Sequence, residues 1–277
     1  MNFSERYFHT GKIALNITEW KNQKINSPNL LLIHGFGVSK KTWDSSTLLL
    51  SKNYHLFSVD LRGMGKSGRI TPQHSRFDWV TDINCLINKI FKSPGYLVGH
   101  SLGGWICAGV ASLNHKKVRA IALGDPFTGI DTIKSSNRKK IKIQEIRTKK
   151  SVRTYKELIE YTKILYPNAE GEILEKLILM TFETDTNLEL WSINNRSDNS
   201  NYEELYKNIK CPTLIIQANP EKGGIMSDRE ARRVTSLLKN GNLIKWNNSG
   251  HSLHIARNHD FSKTIHKFFS SLNYENV

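Results

Sequence analysis

The chain has 277 residues, 38% of them hydrophobic, which is enough for one substantial α/β domain with an insertion or for two small domains. A net charge of +15 invites a nucleic-acid or anionic-membrane partner, but no nucleic-acid-binding motif accompanies it and aromatic residues are not interleaved with the basic ones, so no nucleic-acid partner is expected. The segment Met1–Arg6 lacks the apolar core of a signal peptide, no stretch is long enough to span a bilayer, and the three cysteines are widely spaced; these features lead us to expect a cytoplasmic protein with reduced thiols, no metal, no cofactor and no stable membrane insertion.

Apolar runs alternate with amphipathic stretches, the pattern of a mostly parallel sheet with helices on both faces. Strands are expected at 12–17, 29–34, 54–60, 95–99, 118–124, 212–218 and 242–247, with an eighth near the N-terminus. Helices are expected at 43–52, 78–92, 102–114, 227–239 and 254–272. Between 127 and 208 the strand pattern gives way to helical periodicity. Tyr155, Leu158, Ile159, Thr162 and Leu165 share one face, and Ile173, Leu174, Leu177, Ile178 and Phe182 another. The expected organisation is therefore a core of 1–126 and 209–277 with a helical cap, or lid, of 127–208. Trp191, Phe127, Tyr155 and Phe182 are its candidate pocket residues.

Leu30–Ile33 is a continuous apolar run of the type found in a strand buried on both faces, and it empties into His34-Gly35-Phe36-Gly37. The glycines let backbone N–H groups turn toward a ligand. Downstream, Tyr96-Leu97-Val98 leads into Gly99-His100-Ser101-Leu102-Gly103, followed by a helix-length segment of small and apolar residues. A serine between a strand and a helix at so tight a turn is strained, and close strand–helix approach excludes a Cβ two residues to either side. The turn exposes the Ser101 hydroxyl as a candidate nucleophile and aims the Leu102 N–H at an oxyanion, with the Phe36 N–H as second donor.

A serine hydroxyl needs a base and an acid to orient that base. His251 follows the last strand in a polar loop, Asn247-Asn248-Ser249-Gly250-His251, and is the expected base, with His254 one helical turn on as the fallback. His100 should leave the elbow in another direction, and His34 should pack or hydrogen-bond beneath the oxyanion loop. For the acid, Glu221 is the first carboxylate after the strand at 212–218. The alternative is Asp125, which closes the strand at 118–124, and a third candidate, Asp228, fits better in the first turn of a helix capped by Ser227.

Four segments together resemble the α/β-hydrolase fold superfamily. They are His34-Gly35-Phe36-Gly37, Asp60-Leu61-Arg62-Gly63-Met64-Gly65-Lys66-Ser67, Gly99-His100-Ser101-Leu102-Gly103-Gly104 and Gly250-His251. They occur in the family's order, and the resemblance spans the chain apart from 127–208. It implies an eight-stranded, mostly parallel α/β-hydrolase sheet with a helical lid, and a serine esterase with a catalytic triad and oxyanion hole. The Asp60–Ser67 loop is read as a structural turn using Asp60 and Arg62. One departure stands out: where the family usually carries a Gly-Asp-x-Asp-like sequence, this chain has Ala218-Asn219-Pro220-Glu221.

The expected substrate is a small acyl compound, a carboxylic ester or relative. The alternatives are a carbon–carbon bond hydrolase or lyase, or a thioesterase, acting on an anionic substrate, and a ligand-binding receptor with a vestigial triad. Lys134, Arg138, Lys139, Lys140, Lys142, Arg147, Lys149, Lys150 and Arg153 concentrate charge at the cap's start. They read as a solvated helix face, with attraction of an anionic substrate as the alternative.

Overall fold

The computed structural model describes residues 3–22, 24, 26–128, 136–165, 170–194 and 202–272, without the side chains of 136–142, 165, 172, 173, 176 and 194. The chain runs through β1 (Phe3–His9), β2 (Ala14–Trp20), β3 (Asn29–Ile33), α1 (Asp44–Leu50), β4 (His55–Val59), α2 (Arg76–Ile90), β5 (Gly95–His100), α3 (Leu102–Leu113) and β6 (Val118–Gly124). Five helices follow: α4 (Ser136–Ser151), α5 (Tyr155–Leu165), α6 (Gly171–Phe182), α7 (Thr186–Asn194) and α8 (Tyr202–Lys207). The last part holds β7 (Thr213–Ala218), α9 (Asp228–Leu237), β8 (Gly241–Trp246), α10 (Leu253–Ala256) and α11 (Asn258–Ser270).

The eight strands form one sheet in the order β1-β2-β4-β3-β5-β6-β7-β8. The β1–β2 and β2–β4 pairs are antiparallel and every other pair is parallel. Period-two alternation sorts the central strands into two cores. Leu31, Ile33, Leu97, Ile121 and Ile215 pack with α2, α3 and α9 on one face. Leu30, Leu32, Val98, Ala122 and Ile216 pack with α1 and α11 on the other. Both faces are covered, which is why β3 and β5 read as unbroken apolar runs.

Between β3 and β5 the strand order reverses, so the loops after those two strands diverge around a crevice at the carboxyl edge. The loops after β6, β7 and β8 open on the same edge.

α1 and α9 each end two residues before the expected bound, and two departures have a visible cause. α2 begins at Arg76 because the Asp78 carboxylate accepts the Ser75 N–H at 2.9 Å, closing the helix start two residues early. The expected 254–272 helix is two helices, α10 and α11. Arg257 leaves helical geometry at φ −131°, ψ 47°, with its guanidinium on Asp260 and over the Trp246 ring.

Candidate active site

Ser101 closes β5 and opens α3 with φ 54° and ψ −118°, a conformation that costs about 1–3 kcal/mol in a non-glycine residue. The surroundings hold it there. Its N–H donates to the Gly124 carbonyl, and its carbonyl accepts from Gly104, Trp105 and Phe127. A Cβ on Gly99 would collide with the Gly103 backbone, and one on Gly103 with the Ile33 carbonyl. Strand, serine and helix therefore fit together only with glycine at both places. Leu102 is the first residue of α3, so its N–H has no acceptor within the helix.

The loop after β3 runs directly beneath this turn. A Cβ on Gly35 would lie 3.2 Å from both Ser101 Cβ and His100 Nδ1, so the next residue, Phe36, is carried beside the elbow. Gly37 adopts φ +78° and its N–H points to Met64 Sδ at 3.1 Å. His34 is buried under the loop, donating from Nδ1 to the Gly35 carbonyl at 2.7 Å and accepting the Leu61 N–H at Nε2. Burial holds its pKa below the usual histidine range.

The carboxylate that meets His251 is Asp125. Its Oδ2 lies 2.7 Å from His251 Nδ1, and it also accepts the Ile225 N–H at 2.9 Å while Oδ1 accepts the Ala218 N–H at 3.2 Å. Asp125 is fully buried, at φ 39° immediately after β6. With Nδ1 engaged by a carboxylate, the Nε2 of His251 is the nitrogen left to accept a proton.

Glu221, the expected acid, is not in this arrangement. It lies exposed on a one-turn helix, Pro220–Lys222, whose leading Asn219 side chain accepts the Glu221 N–H at 3.0 Å. That local turn directs the loop's backbone, rather than its carboxylate, toward Asp125. It also docks the base loop: Asn219 N–H donates to Ser249 O and its Nδ2 to Asn247 O. Gly250 packs so close to the Lys222 carbonyl that no Cβ would fit. Asp228 begins α9 behind the Ser227 cap, with its carboxylate on Lys245 and Gln217.

His254, the fallback base, is buried between the rings of His100 at 4.1 Å and Trp43 at 4.4 Å, and burial pushes its pKa well down. His100 leaves the elbow on the side of the base loop. Its ring turns back under the base, and Nε2 lies 2.8 Å from the His251 carbonyl. The Gly-His-Ser sequence alone gives no direction for that side chain.

The Asp60–Ser67 loop is anchored by its own two charged side chains: the Asp60 carboxylate accepts the N–H groups of Lys40 and Lys66, and Arg62 forms a two-pronged buried pair with Asp82 on α2 at 2.6 and 2.7 Å. Helix α7 rests on it. Asp185 N–H donates to Gly63 O, its carboxylate accepts the Ile70 N–H, and Leu188 packs on Gly63.

Of the candidate pocket residues, Phe127 lies under the Arg76 guanidinium, and its N–H reaches Ser101 O. Trp191 packs on His74 and Trp79, and Phe182 on Tyr161. Tyr155 is 60% exposed, so the expected buried face of α5 does not include it. Lys149 is buried on Glu189 and Thr184 O, whereas Arg147, Lys150 and Arg153 are exposed. Lys134 and the side chains of Arg138, Lys139, Lys140, Lys142, Leu165 and Ile173 lie outside the described residues. Cys85, Cys107 and Cys211 are free thiols, and no described helix is long and apolar enough to cross a membrane.

The profile of the alpha/beta hydrolase family matches residues 30–264. The monoacylglycerol lipase abhd6-B of Xenopus laevis is 26% identical over 271 residues, covering 89% of this chain and 77% of that protein. A pimeloyl-acyl-carrier-protein methyl ester esterase of Pseudoalteromonas atlantica is 30% identical over 124 residues, 41% of this chain and 47% of its own. Among solved structures, the enol-lactonase from Burkholderia xenovorans superimposes with a TM-score of 0.76 at 17% identity, covering 96% of this chain and 100% of that one. At that identity the likeness concerns the fold.

Proposed function

The chain belongs to the alpha/beta hydrolase family and is a hydrolase, and on that premise we propose that it cleaves carboxylic esters through an acyl-enzyme on Ser101. The observation that carries this reading is the 2.7 Å hydrogen bond between His251 Nδ1 and buried Asp125, at the same sheet edge as the strained Ser101 turn. The lipase and esterase names of the two relatives agree with it.

In the proposed cycle, His251 Nε2 takes the Ser101 proton as Oγ attacks the ester carbonyl. Asp125 holds the imidazole in the tautomer with its proton on Nδ1 and stabilises the imidazolium. The tetrahedral oxyanion accepts from the Phe36 and Leu102 N–H groups, each worth about 10²–10³ in turnover. His251 then gives its proton to the departing alkoxide. Water, deprotonated in turn by His251, attacks the acyl-enzyme, and the acid leaves as Ser101 regains its proton. Residues 127–208 act as a cap over Ser101, an assignment supported by the seating of α7 on the loop after β4.

Intact-mass analysis after exposure to a fluorophosphonate tests this directly. A single adduct that disappears in Ser101→Ala is the expected result. Failure of the folded protein to react, or an adduct that survives in Ser101→Ala, would reject Ser101 as the activated nucleophile.

A further inference from the structure

His100 adjoins the nucleophile in sequence yet makes its hydrogen bond to the other side of the site. Its Nε2 sits 2.8 Å from the carbonyl oxygen of His251, and a carbonyl can only accept, so the ring carries its proton on Nε2. Nδ1 is then an unprotonated, buried nitrogen without a hydrogen-bond partner, lying where any Cβ on Gly35 would approach within 3.2 Å. The imidazole is 4.5 Å from the His251 ring on one side and 4.1 Å from His254 on the other, and His254 in turn stands against Trp43. Four rings thus form a row of tilted contacts that ends at the base.

The loop carrying His251 is short of regular structure. It follows β8 as a turn and precedes α10, which has only four residues, so the His251 carbonyl is not held by a long helix. Two other anchors have been described, Asp125 on the ring and Asn219 on the backbone at Ser249 and Asn247. Both come from the β6 and β7 side of the site. His100 is the anchor from the nucleophile's own strand, and it grips the main chain of the base itself.

We propose that His100 is a positioning residue: by donating Nε2–H to the His251 carbonyl, it ties the base to the serine-bearing turn and sets the approach of the imidazole to Ser101. The proposal rests on the reading of Ser101 and His251 given above. Neutrality of His100 is part of the arrangement, because a second cation next to His251 would oppose the imidazolium that forms during catalysis. Burial, with the nearby His251, pushes the His100 pKa down to about 3, so the ring is neutral at neutral pH.

Three substitutions separate positioning from packing. His100→Phe keeps a flat ring in the row but removes the donor. His100→Gln places an N–H at nearly the reach of imidazole Nε2, and His100→Asn stops short of it. In steady-state ester hydrolysis, Phe and Asn are expected to lower kcat on the order of 10- to 100-fold with little change in KM, as small misplacements of a reacting group do. Gln is expected to recover most of the loss. The pH midpoint of kcat/KM should move in Phe and Asn and return in Gln.

A second readout does not depend on turnover. The His251 Nδ1 proton shared with Asp125 should give a downfield proton resonance that broadens or disappears in Phe and Asn and persists in Gln. If the parent neither reacts with a fluorophosphonate nor hydrolyses esters, the functional reading fails, and this resonance alone decides whether His100 orients His251. The proposal is overturned if Phe and Asn keep both parental kcat and the parental resonance, or if Gln is no better than Asn. Should Phe fail to fold, the Gln–Asn pair carries the same decision.

Discussion

Asp125 and His251 stand 126 residues apart in the chain and 2.7 Å apart in the fold. The relationship is backed on the Asp125 side by two further hydrogen bonds from the Ala218 and Ile225 N–H groups. A fully buried carboxylate with three donors is firmly oriented, and its orientation passes to the imidazole. The same two amides belong to the end of β7 and the start of the return toward α9, so the loop containing Glu221 serves the site through its main chain.

Asp125→Asn should therefore lower kcat severely, by as much as about 10⁴, because an amide stabilises the wrong histidine tautomer and cannot balance the imidazolium. Glu221→Gln should leave kcat within about twofold, since the exposed side chain touches none of these groups. Parallel kinetics of the two variants on one ester, with rates of fluorophosphonate labelling, would check the assignment. Equal losses in both, or a larger loss in Glu221→Gln, would return the acid role to the β7 loop.

Ser101, His251 and the two glycine-bearing loops were legible because their constraints are local. A strand, a serine between glycines and a helix of small residues admit few geometries, and β3 and β5 are apolar enough to be recognised as buried. Asp125 was legible only as an alternative. Choosing it over Glu221 requires knowing that Asn219 closes a turn on the Glu221 N–H and so leaves that carboxylate outside. The direction of His100 depends on a carbonyl 151 residues away, which no local pattern encodes. On α5, Tyr155 fitted the apolar periodicity but sits at the helix start, beyond the reach of the packing that buries Tyr161 and Thr162.

Steric closure at the elbow gives a sharp stability prediction. Gly103→Ala would drive a methyl group into the Ile33 carbonyl, joining the base of the elbow to β3, and should destabilise the fold by about 1–3 kcal/mol or more. Gly11→Ala is the control. Gly11 also has positive φ, at +93°, but nothing lies within 4 Å of an added Cβ, so only backbone strain of about 1–2 kcal/mol applies. Denaturant melts of the two variants should rank them in that order, with fluorophosphonate labelling impaired only in Gly103→Ala. The reverse order would mean that the strand and helix can part without penalty.

Acid should weaken the fold through its buried histidines. His74 lies between the Trp79 and Trp191 rings and is depressed to about 4 chiefly by burial, and His100 to about 3. Unfolded histidines titrate near 6.5, so below that pH unfolding takes up protons that the native state refuses. Stability is full above about pH 6.5 and falls as the pH drops through about 4 toward about 3, the native values of His74 and His100. His74→Phe, which keeps an aromatic ring between the tryptophans, should reduce the loss of Tm between neutral and mildly acidic buffers. An unchanged pH slope in that variant would show that His74 contributes nothing to it.

The seating of α7 on the loop after β4 makes Leu188 the residue to remove. It is fully buried against Gly63, while Asp185 beside it bonds Gly63 O and the Ile70 N–H. Leu188→Ala removes the apolar part of this joint and leaves the polar part, and deletions of this kind cost about 2–5 kcal/mol when the gap cannot collapse. Here the gap faces a glycine in a loop already fixed by Arg62–Asp82 and by the Asp60 hydrogen bonds, so little collapse is available. If residues 127–208 act as a cap, the loss should fall first on its docking. Limited proteolysis would then cut between α4 and α7 faster than in the parent, while the sheet unfolds at a temperature nearer the parent's. A variant that melts in one step, with no earlier cleavage in that stretch, would show that these helices fold as one unit with the sheet.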